Sequence, residues 1–296
     1  LLQLLVGNVD QMMVSRVSQP SVAAIVNANQ IMNLVIIVLS MASTAVTVIL
    51  SQYLGAQDEK NASRTCMVSI VLISGVSLAA TILVFAGHTP LYRAIHVPEE
   101  VFDEASLYLL IVGAFILVQG LYLTFSAMIR AFAMVKEVMI ISVIMNAMNI
   151  VGNAILINGW FGMPQLGAVG AAISTDISKL VGLALMIGMF FKSRRVKIGM
   201  SYLRPFPVQI LKNLCLLAIP TGVESFSYNL SQMIILGIVN SFGTLVTVTK
   251  GYCTIFANID YVYAMAIATA TQIVLGYLIG ARRLNDIQKR VNATLK

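Results

Sequence analysis

Charge is what this sequence has least of. Acidic and basic residues together make up 10% of its 296 positions, against 58% hydrophobic residues. A soluble domain is about 25% charged, so this chain cannot cover itself with enough polar surface to remain in water. Cysteine is scarce too: Cys66, Cys215 and Cys253 lie far apart in apolar stretches, as small buried residues do. They form no CxxC pair and no cluster with His88 or His96, which excludes a disulfide scaffold and a metal site of that kind. The nucleotide-binding patterns GxGxxG and GxxxxGK[ST] are missing, as are HExxH and GxSxG, so catalysis has no residues to run on. The net charge of +7 is not gathered on one basic face, which removes nucleic acid as a partner.

Long apolar runs are what the sequence has instead. They fall at about 1–18, 21–54, 66–86, 105–129, 137–158, 166–191, 209–240 and 245–280. The alternation of a membrane strand is absent, and Gly, Ser and the 16 Met are scattered through the runs. An all-α polytopic membrane protein with about eight spans follows, since one crossing takes roughly 20 apolar residues. The chain opens on Leu1, already inside an apolar run with no charged segment before it. That reads as a truncated start, not a signal peptide.

Loop charges orient the spans. Fourteen basic residues, from Lys60 and Arg64 through Arg130, Lys136 and the 192–212 stretch to Lys289 and Arg290, fall in alternate loops, against Arg16 and Arg93 on the other side. The positive-inside rule then places the even-numbered loops in the cytoplasm, in the plasma (cell inner) membrane. The most basic of them, Lys192 to Lys212 with Pro205 and Pro207, reads as a connector.

That connector separates two copies of one pattern. With an offset of 225 residues, positions 10–64 lie on 235–289 without a gap, pairing Asn33 with Asn258, Thr44 with Thr269, Leu50 with Leu275 and Gly55 with Gly280. Six spans precede the second copy, so both copies start in the same orientation and the repeat is parallel. The expected architecture is two six-helix bundles, the second incomplete, divided as 1–191, a connector at 192–208, and 209–296 with two helices of six. About four further helices are expected in the whole protein.

Ionisable residues at membrane depth cost several kcal/mol unless they face a partner or water. Asp10 in span one has no basic residue within a helical turn and is the first candidate to carry an ion. Asn146, Asn149 and Asn153 share one face of span five and could solvate that carboxylate, a cation, or simply each other. Glu224 follows Pro220 at the start of span seven, and Lys250 and Asp260 sit in span eight; these three are candidates for the cavity and second lobe. Asp176 and Lys179 are three residues apart in span six and are expected to neutralise each other. Trp160 after span five reads as an interfacial anchor, and His88 and His96 as surface residues.

Several of these segments together resemble one family. Val9 to Arg16 resembles the first-helix motif of the multidrug and toxic compound extrusion (MATE) family, and Ser51 to Asp58 its second-helix exit. Ile129-Arg130-Ala131 is similar to its fourth-helix end, Leu166 to Thr175 to its sixth-helix motif, and Ile219-Pro220 to Glu224 to its seventh-helix motif. The resemblance implies a cation-coupled antiporter that exports cationic or amphipathic small molecules by rocking between two open states. It implies coupling to H⁺ or Na⁺ with no organic cofactor and no metal, in a monomer whose other contact is membrane lipid. By the same resemblance Asp10 is the coupling carboxylate, Asn149, Asn153 and Thr175 are its partners, and Glu224 is the acidic residue of the seventh helix. Asn153 stands where many members carry Asp, and Ser15 and Ser18 replace glycines of the motif. The alternatives are a lipid-linked oligosaccharide flippase of the same superfamily and a membrane scaffold or receptor that transports nothing.

Overall fold

The computed structural model describes residues 19–240 and 244–295, apart from 95, 96, 98, 160, 161 and 163. Asp10, His96 and Trp160 therefore lie outside the described residues. The described elements are helices: α1 Gln19–Gly55, α2 Glu59–Ala94, α3 Glu99–Ala114, α4 Ile116–Ala131, α5 Val135–Asn158, α6 Gly167–Ser193, a 3₁₀ turn Met200–Leu203, α7 Val208–Asn240, α8 Thr244–Gly280 and α9 Leu284–Leu295. Among the described residues, five helices are long and apolar enough to cross a membrane, and a bent pair makes a sixth span. That pair corrects an expectation. The apolar run 105–129 is not one rod: α3 and α4 meet at Phe115 with a 46° bend.

Helix ends follow from local chemistry. At the end of α1, Gln57 takes a left-handed conformation (φ 57°), its N–H donates to the Leu54 carbonyl, and the Asp58 N–H donates to that of Tyr53. This is a Schellman cap, which satisfies carbonyls the helix would otherwise leave open. Asp58 then caps α2, accepting from the Asn61 N–H at 3.0 Å.

The same construction recurs 225 residues on. Helix α1 runs from Gln19 to Gly55 and α8 from Thr244 to Gly280; α2 starts at Glu59 and α9 at Leu284. Arg282 takes φ 57° as Gln57 does, and the Arg282 and Arg283 N–H groups donate to the Ile279 and Leu278 carbonyls. Low sequence identity thus conceals two copies of one backbone.

Helices α1 to α6 surround the core of the amino-terminal part. One apolar cluster centres on Phe190, whose ring centroid lies 5.4 Å from that of Phe125 and 5.6 Å from that of Phe132. Another forms around Tyr92, whose hydroxyl donates to the Ala105 carbonyl at 3.0 Å. Small residues let these helices approach closely, as expected where lipid supplies no hydrophobic drive between helices. A Cβ on Gly120 would strike Ser77, one on Gly152 would strike Ser174, and one on Gly170 would strike the Leu156 backbone. The opposite faces carry exposed Ile82 (66%) and Leu83 (69%), which is the surface a bilayer solvates.

Candidate functional site

A cavity of about 1320 Å³ lies between the two repeats. Helix α1 supplies Ser40, Thr44, Thr47 and Gln52 to its wall; α7 supplies Thr221 and Glu224; α8 supplies Tyr261, Thr269 and Gln272. Thr44 and Thr269 are equivalent positions of the two copies and face the same space. Ser225, Tyr263, Thr271 and Thr294 add further hydroxyls, and aliphatic and methionine side chains supply most of the remaining lining, so the cavity is an apolar surface set with polar groups, a composition suited to small molecules.

One end is closed where α1 crosses α8. A Cβ on Gly55 would overlap the Tyr277 backbone, and one on Gly280 would overlap the Gln52 carbonyl. The two contacts are one contact seen from each repeat, because Gly55 corresponds to Gly280 and Gln52 to Tyr277. Between them Ser51 faces Gly276, its own equivalent, so the pseudo-two-fold axis passes there. The Tyr277 hydroxyl also donates to the Ala131 carbonyl at 2.8 Å, tying α8 to the end of α4.

Two charged side chains line the described cavity, Glu224 and Arg130. Glu224 was expected with Pro220 at the start of span seven; both lie well inside α7, which runs from Val208 to Asn240, and Glu224 reaches the cavity from the middle of that helix. Arg130, counted among the loop charges and placed by its motif at the fourth-helix end, lies in the last turn of α4 beside the cavity, with a buried Nε that has no hydrogen-bond partner among the described residues. Lys250 and Asp260, expected at the same cavity, are not among its described lining residues. Asp260 is exposed and lies one position, hence about 100° of helix rotation, from the lining Tyr261.

The expected ion-site residues of the amino-terminal part do come together. Asn149 and Asn153 on α5 are buried, at 5% and 0% exposure. The Asn149 amide donates to the Thr175 hydroxyl at 3.1 Å, and the Asn153 amide donates to Asn149 Oδ1 at 3.4 Å. The Ser174 hydroxyl donates to the Asn149 carbonyl at 2.9 Å, where Gly152 leaves room for it. The group offers neutral oxygen donors of the kind hard cations accept, but no charge of its own. Among the described residues no group of three His, Cys, Asp or Glu side chains could hold a metal ion.

Asp176 is 2% exposed, and neither carboxylate oxygen has a hydrogen-bond partner among the described residues; Lys179, expected to neutralise it, acts on it through its charge without such a bond. The sequence did carry a signal for this burial: Ala168, Ala172 and Asp176 recur every four residues, a stripe that turns one face of α6 into the packed interior.

Duplicated helices around a closed-ended central cavity define the class, a polytopic membrane protein built as a parallel repeat. The chain belongs to the MatE family of membrane transporters, whose family model matches residues 1–155 and 220–296. It is 34% identical over 294 residues to the uncharacterized transporter YisQ of Bacillus subtilis, covering 99% of this chain and 65% of that protein. It is 25% identical to the probable multidrug resistance protein NorM of Halalkalibacterium halodurans, over 83% of this chain and 54% of the relative. The chain therefore spans less than two thirds of the length of these relatives. The fold matches a solved multidrug resistance MATE family transporter of the MOP superfamily with a TM-score of 0.89 at 21% identity, over 99% of this chain and 64% of that one.

Proposed function

We propose that the protein is a cation-coupled antiporter that exports cationic and amphipathic small molecules by alternating access, with lobes 1–191 and 209–296 moving about the 192–208 connector. The observation that carries this reading is the cavity at the interface of the two repeats, largely apolar and with the Glu224 carboxylate on its wall. A site at a repeat interface near mid-membrane can be exposed to either side by rocking one lobe on the other. The NorM relatives, whose names speak of multidrug resistance, support the substrate class.

In this mechanism Asp10, with the amide and hydroxyl oxygens of Asn149, Asn153 and Thr175, takes H⁺ or Na⁺ from outside. Ion binding biases the lobes, substrate leaves the cavity, and release of the ion to the cytoplasm resets them. Each tenfold of bias requires about 1.4 kcal/mol of differential ion affinity between the two states. The even-numbered loops face the cytoplasm of the plasma membrane in this arrangement. A pyrophosphate-linked substrate would need many basic groups in the groove, whereas Arg130 is the one basic residue among the described lining residues and Glu224 opposes it.

Glu224→Gln tests the cavity's role. A cationic dye should bind the purified variant about tenfold more weakly, a loss of roughly 1.4 kcal/mol, while an uncharged dye of similar size keeps its affinity. Equal affinity of both dyes for the variant and the parent would remove Glu224 from the substrate site.

A further inference from the structure

A second cavity, of about 390 Å³, lies at the opposite end of the amino-terminal helices from the Tyr92 cluster, between the first turn of α2 and the connector. Lys60 and Ser63 of α2 form one wall, and Arg194, Arg195, Lys197 and Tyr202 form the other. Glu59 is the acidic member of the lining, so four cations stand against one carboxylate.

The backbone builds this concavity. Arg194 ends α6 in a left-handed conformation (φ 49°) and turns the chain back toward α2. Three residues on, the Lys197 N–H donates to the buried Ser63 hydroxyl at 3.1 Å, fastening the connector to α2. Ser63 accepts in that bond, so its own proton remains available to a further acceptor. Among the described residues the pocket's cations make no ion pair within 4 Å, whereas Arg283 and Asp286 pair elsewhere. Four mutually repelling cations held around one hollow favour an anion between them.

Position selects the kind of anion. Glu59 begins one apolar span and Ser193 ends another, so the pocket sits at the level where lipid headgroups meet the helices. Basic pockets between helices on the cytoplasmic side are suited to anionic headgroups. We propose that this pocket binds a phosphate-bearing anion, the phosphate of an anionic phospholipid headgroup or free phosphate, held by Lys60, Arg194, Arg195 and Lys197 with Ser63 donating. The occupant pins the connector to α2 and so sets how freely the two lobes move. The site stands apart from the central cavity and does not depend on what that cavity transports.

The test uses protein from the complete gene, purified in detergent and delipidated. Native mass spectrometry measures retention of added phosphatidylglycerol against phosphatidylcholine, and equilibrium dialysis measures inorganic phosphate. Arg194→Gln/Arg195→Gln/Lys197→Gln should lower affinity for the phosphate-bearing probe by roughly a hundredfold. A control set on the same side of the membrane, Lys212→Gln/Lys289→Gln/Arg290→Gln, should lower it less than threefold. Arg194→Lys/Arg195→Lys, which keeps the charge, should retain binding and guards against misfolding as the cause. Dependence seen with phosphatidylglycerol identifies the lipid as the source, and dependence seen with inorganic phosphate alone identifies the free anion. If the pocket variant binds both probes as the parent does, or the control set loses as much, the site is refuted.

Discussion

Asp176 sits in the packed interior of α6 without a hydrogen-bond partner for either oxygen among the described residues. A carboxylate in that setting costs free energy that packing elsewhere has to offset. Asp176→Asn should therefore hold or raise the Tm of the protein in detergent, because the amide is cheaper to bury. A Tm several degrees lower would mean that the carboxylate has a stabilising partner. Asp176 and Arg130 also show where reading the residues in order stops. Three-residue spacing suggested that Lys179 neutralises Asp176, and its charge does reach the carboxylate, but spacing could not show that both oxygens lack a hydrogen bond among the described residues. Counting loop charges assigned Arg130 a side of the membrane but could not show that the last turn of α4 carries it to the cavity wall. Asn149, Asn153 and Thr175 were legible because their spacing within α5 and a motif at the start of α6 each fix a face, and the two faces pack together.

At the scale of elements, the crossing of α1 and α8 is the part most exposed to test. Gly55 and Gly280 allow the two backbones to touch, and any side chain there must push them apart. Gly55→Val/Gly280→Val should open that end: spin labels placed near it on α1 and α8 should report a longer distance in the double variant than in the parent. An unchanged distance would show that the glycines are not what permits the closure. The 225-residue repeat was visible in sequence through shared exits at Gly55-Ala56 and Gly280-Ala281, and the caps at Gln57 and Arg282 reproduce it bond for bond. The break between α3 and α4 was not visible, because the apolar run passes through Phe115 with no proline to mark it. The pocket at Lys60 and Arg194 was equally hidden, since Ser63 and Lys197 meet across 134 residues of chain.

For the whole molecule, low charge fixes the solvent, the repeat fixes the symmetry, and the symmetry places one cavity between two lobes. In the proposed mechanism, closure at the Gly55 and Gly280 end leaves that cavity to be opened and closed by relative movement of the lobes, driven by an ion gradient. The most direct test reconstitutes protein from the complete gene into liposomes loaded with a cationic dye and imposes H⁺ and Na⁺ gradients separately. The account predicts dye movement against its own gradient under at least one of them, and its loss in Asp10→Asn with the variant still inserted in the bilayer. Dye retention identical with and without each gradient, or undiminished efflux by Asp10→Asn, would contradict it.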